Sequence, residues 1–269
     1  MGDKVAVLRK DIEQSDDWDF DPFIQFFAQG AGYKLSTLAN SKDTNDPLIL
    51  RGVGGGSRKA ILHCWETGRD FYIIDTGYFG NWKHKTYHRI TKNNLQNLGP
   101  ILPRPIDRLV RTGWKYKEFT PGKNILICPP SEKVMQIFKQ PSPNEWTQTV
   151  IKEIRRYTNR PIAVRLKPSR TERVSNKTIQ DALADNVHCL VTYNSIAAVE
   201  ALMEGKPAIA LGPNAAQVMC NTELKDVEHL RKHDKMTMER YMAHLAYCHF
   251  TEEEMRNGYA WRILQETYA

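Results

Sequence analysis

The sequence predicts an α/β protein made of two doubly wound domains, and three observations support this. In the second half of the chain, short apolar runs alternate with segments of helical period, which is typical of a parallel sheet covered by helices. A Pro- and Gly-rich stretch, residues 99–123, separates this half from a first half with the same alternation. The 269 residues are enough for each half to bury a core of its own.

The second half shows the clearer alternation of strands and helices. Its predicted strands are 124–128, 161–166, 189–192 and 207–211, and its predicted helices are 142–156, 178–183 and 196–204. Ser142 offers an N-cap to the first of these helices, and Pro143 suits its first turn. Gly205 is a typical stop for the last helix. The sequence therefore predicts that residues 121–234 form one Rossmann-like domain.

The first half repeats the pattern less clearly. Its predicted strands are 4–8, 47–50 and 71–75, its predicted helices are 22–29 and 57–66, and a helical, aromatic tail is predicted from 225 to 269. Residues 1–120 are thus expected to form the other domain. Both domains are expected to be open α/β sheets.

Composition and charge narrow the class of protein. Hydrophobic residues make up 41% of the chain and charged residues 26%, and the net charge is +7, which favours polyanionic partners. No apolar run approaches the roughly 20 residues that span a bilayer, and the start has no signal-peptide stretch. We therefore expect no membrane partner and a cytoplasmic location, in the infected host if the chain is viral. Five scattered cysteines without a CxxC pair fit reduced thiols in the protein core.

The most informative motif runs from Tyr193 to Pro207. A buried strand ends, the polar residues Tyr193, Asn194 and Ser195 turn the chain, and a helix begins at the sheet edge where open α/β sheets bind ligands. Backbone N–H groups at such a turn favour an anion, and Ser195 could donate its hydroxyl to a phosphate. Glu200 could accept both ribose hydroxyls. The alternative is that Ser195 only caps the helix and that the small residues only serve packing.

This stretch resembles the donor-binding motif of GT-B glycosyltransferases and their epimerase relatives, in which a Ser- or Gly-rich turn leads into a helix reading E-A-(L/M)-x-x-G-(K/R)-P. The resemblance covers residues 124–213. It implies a GT-B-like α/β fold with two Rossmann-like domains facing a cleft, and C-terminal helices, residues 235–269, packed back on the first domain. It also implies a nucleotide-sugar, UDP-glucose or a similar donor, as co-substrate. No further cofactor is expected, and a divalent metal is left open.

Two basic residues close the second predicted strand of this half. Arg165 and Lys167 alternate along the strand, so their side chains share one face, and Pro168 then ends it. The resemblance implies that a basic residue before this proline grips phosphate, although the histidine that often stands beside the proline in the family is absent here. The alternative is a solvated strand end.

A glycine cluster in the first half, residues 52–56, joins a strand to a helix. Glycines let backbone N–H groups approach a phosphate closely, and no GK[ST] follows that would make this a Walker loop. The alternative is a flexible turn. The residues predicted to bind donor phosphate here are Gly54, Gly55, Gly56, Ser57 and Arg58.

Two residues are candidate general bases. Asp75 follows an apolar strand, and a carboxylate at such a strand end could take the proton of an acceptor hydroxyl in an inverting transfer. The alternative is that Asp75 caps the turn before Gly77. His88 is the second candidate, or else His88 and Arg89 hold an acceptor phosphate. Residues 16–21 contain DxD spacings, which read as an acidic helix entry, with metal binding as the alternative.

The whole pattern is also similar to small bacteriophage proteins of GT-B type, through residues 75–81, 87–93 and 250–261. Known members include DNA glycosyltransferases that modify 5-hydroxymethylated pyrimidines, which must expose the target base. Residues 82–92 form a basic segment with interleaved aromatic rings, which agrees with a double-stranded DNA partner. Its predicted DNA-binding residues are Lys83, Lys85, Arg89 and Lys92. The alternatives are a transferase or epimerase acting on a saccharide or small acceptor, and a noncatalytic nucleic-acid-binding protein.

Overall fold

The fold is taken from a computed structural model that describes residues 4–7, 21–37, 46–54, 56–80, 86–167 and 178–268, with only the backbone described at 4–7 and 35–37. The chain divides into two compact units. The first comprises residues 1–97, 102–112 and 243–269, and the second comprises residues 98–101 and 113–242. The change from the second unit to the first falls within a helix, α8, Lys235–Ala246.

The first unit is built on a six-stranded mixed sheet. Its strands are β1 Lys4–Val7, β2 Lys34–Thr37, β3 Leu48–Arg51, β4 Phe71–Thr76, β5 His88–Lys92 and β10 His249–Phe250. They lie in the order β10-β5-β4-β3-β1-β2. Strands β1 to β4 are parallel, and β5 runs antiparallel to both β4 and β10. The parallel part therefore has the doubly wound order expected of an open α/β sheet.

Helices of the first unit cover this sheet. They are α1 Pro22–Gly30, α2 Gly56–Thr67, α3 Asp107–Thr112, α9 Glu252–Arg256 and α10 Tyr259–Tyr268. Helix α1 begins at Asp21, which accepts a hydrogen bond from the Phe23 N–H, and it buries Ile24 and Phe27. A Cβ on Gly30 would lie 1.9 Å from the Met255 carbonyl oxygen, so α9 approaches the end of α1 as closely as only glycine permits. The expected packing of C-terminal helices on the first domain is confirmed for α9 and α10.

The second unit has four parallel strands, in the order β7-β6-β8-β9. They are β6 Asn124–Ile127, β7 Ile162–Val164, β8 Val187–Thr192 and β9 Ala208–Ala210. Its helices are α4 Glu132–Ile137, α5 Pro143–Ile154, α6 Ile179–Ala184 and α7 Ala197–Met203. The Ser142 side chain accepts from the Glu145 N–H while the Glu145 carboxylate accepts from the Ser142 N–H, a capping box that starts α5. Each strand and helix predicted for this half is present, within a few residues at the ends.

Three strands of the first unit were not predicted: β2, β5 and β10. Strand β5 carries His88, Arg89 and Lys92, and these polar residues predict a basic surface segment rather than a strand. Its first residues are nevertheless buried, because their polar groups find partners inside the fold. Strand β10 has only two residues and lies in a tail predicted to be helical, so its period was too short to detect.

The core agrees with the expectation for the cysteines, since all five are unpaired and buried. Among the residues that the structure describes, no helix is both long and apolar enough to cross a membrane.

Candidate functional site

The edge of the second unit where its parallel strands end is the candidate donor site. Strand β6 lies between β7 and β8, so the connections that leave β6 and β8 diverge, and ligands of open α/β sheets bind in the crevice that forms there. Ile127 is the register partner of both Val164 and Val191, which brings the three strand ends to one level. The Arg165 N–H donates to the Ile127 carbonyl over 2.9 Å, so Arg165 continues this ladder at the edge.

The predicted residues Arg165, Lys167 and Glu200 come together at this edge. Burial raises the pKa of Glu200 to about 7, against the positive charges of Arg165 and Lys167 and a hydrogen bond from Gln180, which lower it. The negative charge of Glu204, which follows the last residue of α7, raises the Glu200 pKa further. The Glu200 carboxyl is therefore present in both charge states near neutral pH. The edge carries an excess of positive charge, which suits an anionic ligand.

Tyr193 is fixed by a residue that the sequence analysis missed. A Cβ on Gly212 would lie 2.5 Å from the Tyr193 Cζ, so the aromatic ring lies directly on the glycine. The Gly212 N–H donates to the Tyr193 carbonyl over 3.0 Å, and the Phe138 ring meets the Tyr193 ring edge-on at 5.6 Å. Leu211-Gly212-Pro213 after the fourth strand was the available signal, because a glycine at a strand end often marks a close approach.

Asn194 and Ser195 mainly stabilise the turn into α7. The Asn194 amide donates to the Pro213 carbonyl, and the Asn214 amide donates to the Ser195 carbonyl over 2.9 Å. The Ser195 Oγ accepts from the Ala197 N–H over 3.2 Å. This bond agrees with the capping role that the sequence analysis gave as the alternative to phosphate binding. Because this bond uses an oxygen lone pair, the Ser195 hydroxyl hydrogen can still be donated to a ligand.

In the first unit, the glycine loop follows β3. That strand lies between β4 and β1, so the loop stands where the connections diverge, the place expected of a ligand site. Gly52 has φ +62°, a conformation that favours glycine, and its N–H donates to the Ile74 carbonyl over 2.9 Å. Ser57 is buried, and its N–H donates to the Gly54 carbonyl. Gly56 and Arg58 lie in the first turn of α2, and Gly55 lies outside the described residues.

Asp75 stands at the end of β4, as predicted, and is ion-paired. Its Oδ2 accepts from the Arg89 Nη2 over 2.8 Å, and its Oδ1 accepts from the Thr76 N–H over 2.7 Å. About a third of the Asp75 side chain is exposed. Arg89 is buried and also donates to the carbonyls of Thr76 and Leu95. This placement favours Arg89 as the residue that holds Asp75 rather than as a DNA contact.

His88 is buried on the other face of the sheet, next to Arg51. The Arg51 Nη2 lies 3.2 Å from the His88 Nδ1, and a guanidinium can only donate, so the Nδ1 is the acceptor and the proton of the neutral ring is on Nε2. Phe23 packs on the ring at 4.0 Å between centroids. Taking up a proton would give His88 a positive charge beside Arg51, which disfavours its predicted role as a base. Arg51 was not predicted, because its contact spans 37 residues of sequence.

Lys92, the other described residue of the predicted DNA-binding set, does not form one surface with Arg89. Lys92 pairs in register with Tyr72, whereas Arg89 pairs with Asp75. Lys92 therefore lies about 10 Å further along the same two strands, towards their opposite ends. Its Nζ forms a 2.9 Å ion pair with the Asp70 carboxylate. Lys83 and Lys85 lie outside the described residues, as do Asp16 and Asp19 of the DxD segment. No group of His, Cys, Asp and Glu side chains in the described ranges is arranged to hold a metal ion.

Comparison with known proteins gives similarity of fold. No family model matches the chain, and no curated protein matches it. It is similar to the solved structure of the Thermosulfurimonas dismutans KpsC, beta Kdo 2,7 transferase, with 14% identity, a TM-score of 0.50 and coverage of 99% of both chains. It is also similar to the beta Kdo 2,4 transferase of KpsC from the same organism, with 15% identity, a TM-score of 0.48 and coverage of 89% of both chains. The first similarity, with the two doubly wound units, confirms the predicted GT-B-like α/β fold.

Proposed function

We propose that the chain is a glycosyltransferase that moves a sugar from a nucleotide-sugar to an acceptor hydroxyl. One observation carries this proposal: Arg165, at the level where β6, β7 and β8 end, and Lys167 act electrostatically on Glu200 at the edge where open α/β sheets bind ligands. A fold shared with a protein named as a transferase supports it. Fold alone does not fix function, so the argument depends on the chemistry of this edge.

The second unit holds the donor in this proposal. Arg165 and Lys167 bind the diphosphate, and Ser195 adds a hydroxyl donor. Glu200 in its ionised form accepts the ribose hydroxyls. Tyr193, fixed on Gly212, offers a ring next to the nucleobase. Phosphate binding is thus assigned to two basic side chains at the edge of the sheet.

Asp75 is the proposed general base. It takes the proton of the acceptor hydroxyl as the acceptor oxygen bonds to the anomeric carbon, and the bond from that carbon to the donor phosphate breaks, releasing the nucleotide. The ion pair with Arg89 fixes the direction of the carboxylate and leaves part of it exposed. His88 is not part of this proposal, because its Nδ1 lone pair is used by Arg51.

The proposed acceptor is a 5-hydroxymethylpyrimidine in double-stranded DNA. It is supported by the net charge of +7 and by the similarity to phage proteins of this size, while Arg89 and Lys92 have partners within the first unit. A second candidate is transfer to a saccharide, because the similar structure with a TM-score of 0.50 is named as a Kdo transferase. The test therefore includes both acceptors.

The test is transfer itself. We expect a mass gain of one sugar on nucleosides digested from DNA containing 5-hydroxymethylcytosine or 5-hydroxymethyluridine, after incubation with a panel of nucleotide-sugars that includes UDP-glucose. Parallel reactions supply nucleotide-activated Kdo and a saccharide acceptor. A mass gain on the saccharide alone would show that the acceptor is a saccharide and not DNA. No mass gain on either acceptor, together with no donor binding, would overturn the glycosyltransferase proposal.

Substitution of Asp75 tests the base. Asp75→Asn should reduce transfer at least about 100-fold, the usual contribution of a general base, while donor binding is unchanged. Asp70→Asn is the matched control, because Asp70 immediately precedes the same strand but pairs with Lys92 at its opposite end. Equal turnover in the wild type and Asp75→Asn would remove Asp75 as the base.

A further inference from the structure

Arg51 is the last residue of β3, and its side chain reaches three other elements of the first unit. Its Nη1 donates to the Ile74 carbonyl over 3.0 Å, and its Nη2 donates to the His88 Nδ1 over 3.2 Å. Its Nε lies 3.8 Å from the Oδ2 of Asp21, which caps α1. The guanidinium also lies over the Phe23 ring, 4.7 Å from its centroid. One side chain thus joins the ends of β3 and β4 to the starts of β5 and α1.

These contacts fix the main chain next to Asp75. The Ile74 carbonyl belongs to the peptide group that leads into Asp75, and it accepts from both the Arg51 Nη1 and the Gly52 N–H. Both lone pairs of that oxygen are therefore used. Arg51 is the register partner of Ile74, and Arg89 is that of Asp75, so the two arginines lie on opposite faces of the sheet. Arg51 holds the main chain before Asp75, while Arg89 holds its carboxylate.

We propose that Arg51 is a positioning residue for the transfer, because it fixes the main chain from which the Asp75 carboxylate extends. This inference rests on Asp75 as the proposed base. A base must lie within hydrogen-bond reach of the acceptor hydroxyl, and a displacement of about 1 Å can cost about 100-fold in rate. The carboxylate moves with its main chain, so its pair with Arg89 does not set its place alone.

The planar fork of Arg51 is the feature that a lysine does not reproduce. Its two Nη atoms donate in fixed directions to acceptors on the neighbouring strands β4 and β5. An ammonium is instead a compact charge on a flexible stem. Arg51→Lys therefore keeps a positive charge beside Asp21 but loses the fixed pair of hydrogen bonds. This substitution separates the effect of position from the effect of charge.

The test compares Arg51→Lys with the wild type by the kinetics of transfer and by hydrogen exchange. We expect kcat to fall about ten-fold while the KM for the nucleotide-sugar is unchanged, because Arg51 lies in the first unit and the proposed donor residues lie in the second. Amide exchange, followed by mass spectrometry on overlapping peptides of β4, should become faster at Asp75 and Thr76 but not at Phe71. The exchange measurement does not require transfer, so it tests Arg51 with any acceptor.

Arg104→Lys is the matched control. Arg104 is also a mostly buried arginine of the first unit that lies over an aromatic ring and donates from both Nη atoms. Its acceptors, Glu266 and Thr267, belong to α10, so its replacement should leave kcat and the exchange at Asp75 unchanged.

Two outcomes would overturn the role of Arg51: wild-type kcat in Arg51→Lys, or wild-type amide exchange at Asp75 and Thr76. An equal fall of kcat in Arg51→Lys and Arg104→Lys would also overturn it. If Asp75→Asn stops transfer but Arg51→Lys does not slow it, the proposed base stands and only the inference fails. If Asp75→Asn transfers at the wild-type rate, it is the proposed base that fails.

Discussion

The two units order their parallel strands in the same way but differ in the charges at the edge where those strands end. In the first unit, Arg51 and Arg89 each face a carboxylate, Asp21 and Asp75 respectively, so the charges within these two pairs balance. In the second unit, Arg165 and Lys167 act on one carboxylate, Glu200, and burial raises the pKa of that carboxyl to about 7. A balanced edge holds its side chains in place before any ligand arrives, whereas an edge with excess positive charge needs an anion to complete it.

The largest expected difference between the units is in acid stability. Burial lowers the pKa of His249 to about 3 and that of His244 to about 4, and both lie in the first unit. An unfolded histidine titrates near 6.5, so below that pH the unfolded state binds more protons and stability is lost. From pH 7 to pH 5 we expect a loss of about 4 kcal/mol for the two groups. Hydrogen exchange, corrected for its intrinsic pH dependence, should locate this loss in the first unit.

His249→Phe is the control for this prediction. It keeps an aromatic ring between Tyr87 and Phe79 but cannot be charged, so about half of the pH dependence should disappear. A pH dependence equal to that of the wild type would show that His249 does not contribute.

The second prediction compares the two edges directly. Arg89→Met removes the ion-pair partner of Asp75 and the two other hydrogen bonds of the guanidinium, to the Leu95 and Thr76 carbonyls, so we expect a loss of about 3 kcal/mol in the free energy of unfolding. Arg165→Met, the matched change in the second unit, should cost less than about 1 kcal/mol because Arg165 is partly exposed. Urea denaturation measures both, and equal losses would contradict the contrast between a balanced and an unbalanced edge.

The third prediction concerns Gly212. Gly212→Ala places a methyl group against the Tyr193 ring, which should cost about 1–2 kcal/mol and weaken nucleotide-sugar binding about ten-fold. Equilibrium unfolding and binding titration provide the two values. The double variant Gly212→Ala with Tyr193→Ala has no clash. Its loss in free energy of unfolding should therefore be smaller than the sum of the losses of the two single variants. Simple additivity would show that the ring does not depend on the glycine.

Most of the fold could be predicted from the sequence, because its strands and helices of ordinary length leave a clear period. The ends of β4 and β8 were placed correctly, and with them Asp75 and the turn at Tyr193. Strand β5 was missed because polar side chains interrupt its apolar pattern, and their burial is compensated only by residues far away in the chain. Arg51 and Gly212 were missed for the same reason, since each matters through a partner that local sequence does not show.

The basic segment shows the limit of composition as evidence. Lys92 and Arg89 are three residues apart, yet the extended strand separates them along the sheet, and each has an acidic partner. A run of positive residues predicts a binding surface only when its side chains point the same way and have no closer partner.

The first unit contains residues from both ends of the described chain, and this sets an order of events during synthesis. The second unit has all of its residues once residue 242 has been made, and it can form its sheet at that point. The first unit must wait for β10, α9 and α10, because these elements cover β5 and α1. Arg108 of α3 donates to the Ala246 and His249 carbonyls and pairs with Glu254, so it too waits for this segment. The nascent first unit therefore keeps an open strand edge on β5 and an uncovered apolar face on α1 until this last segment has been made.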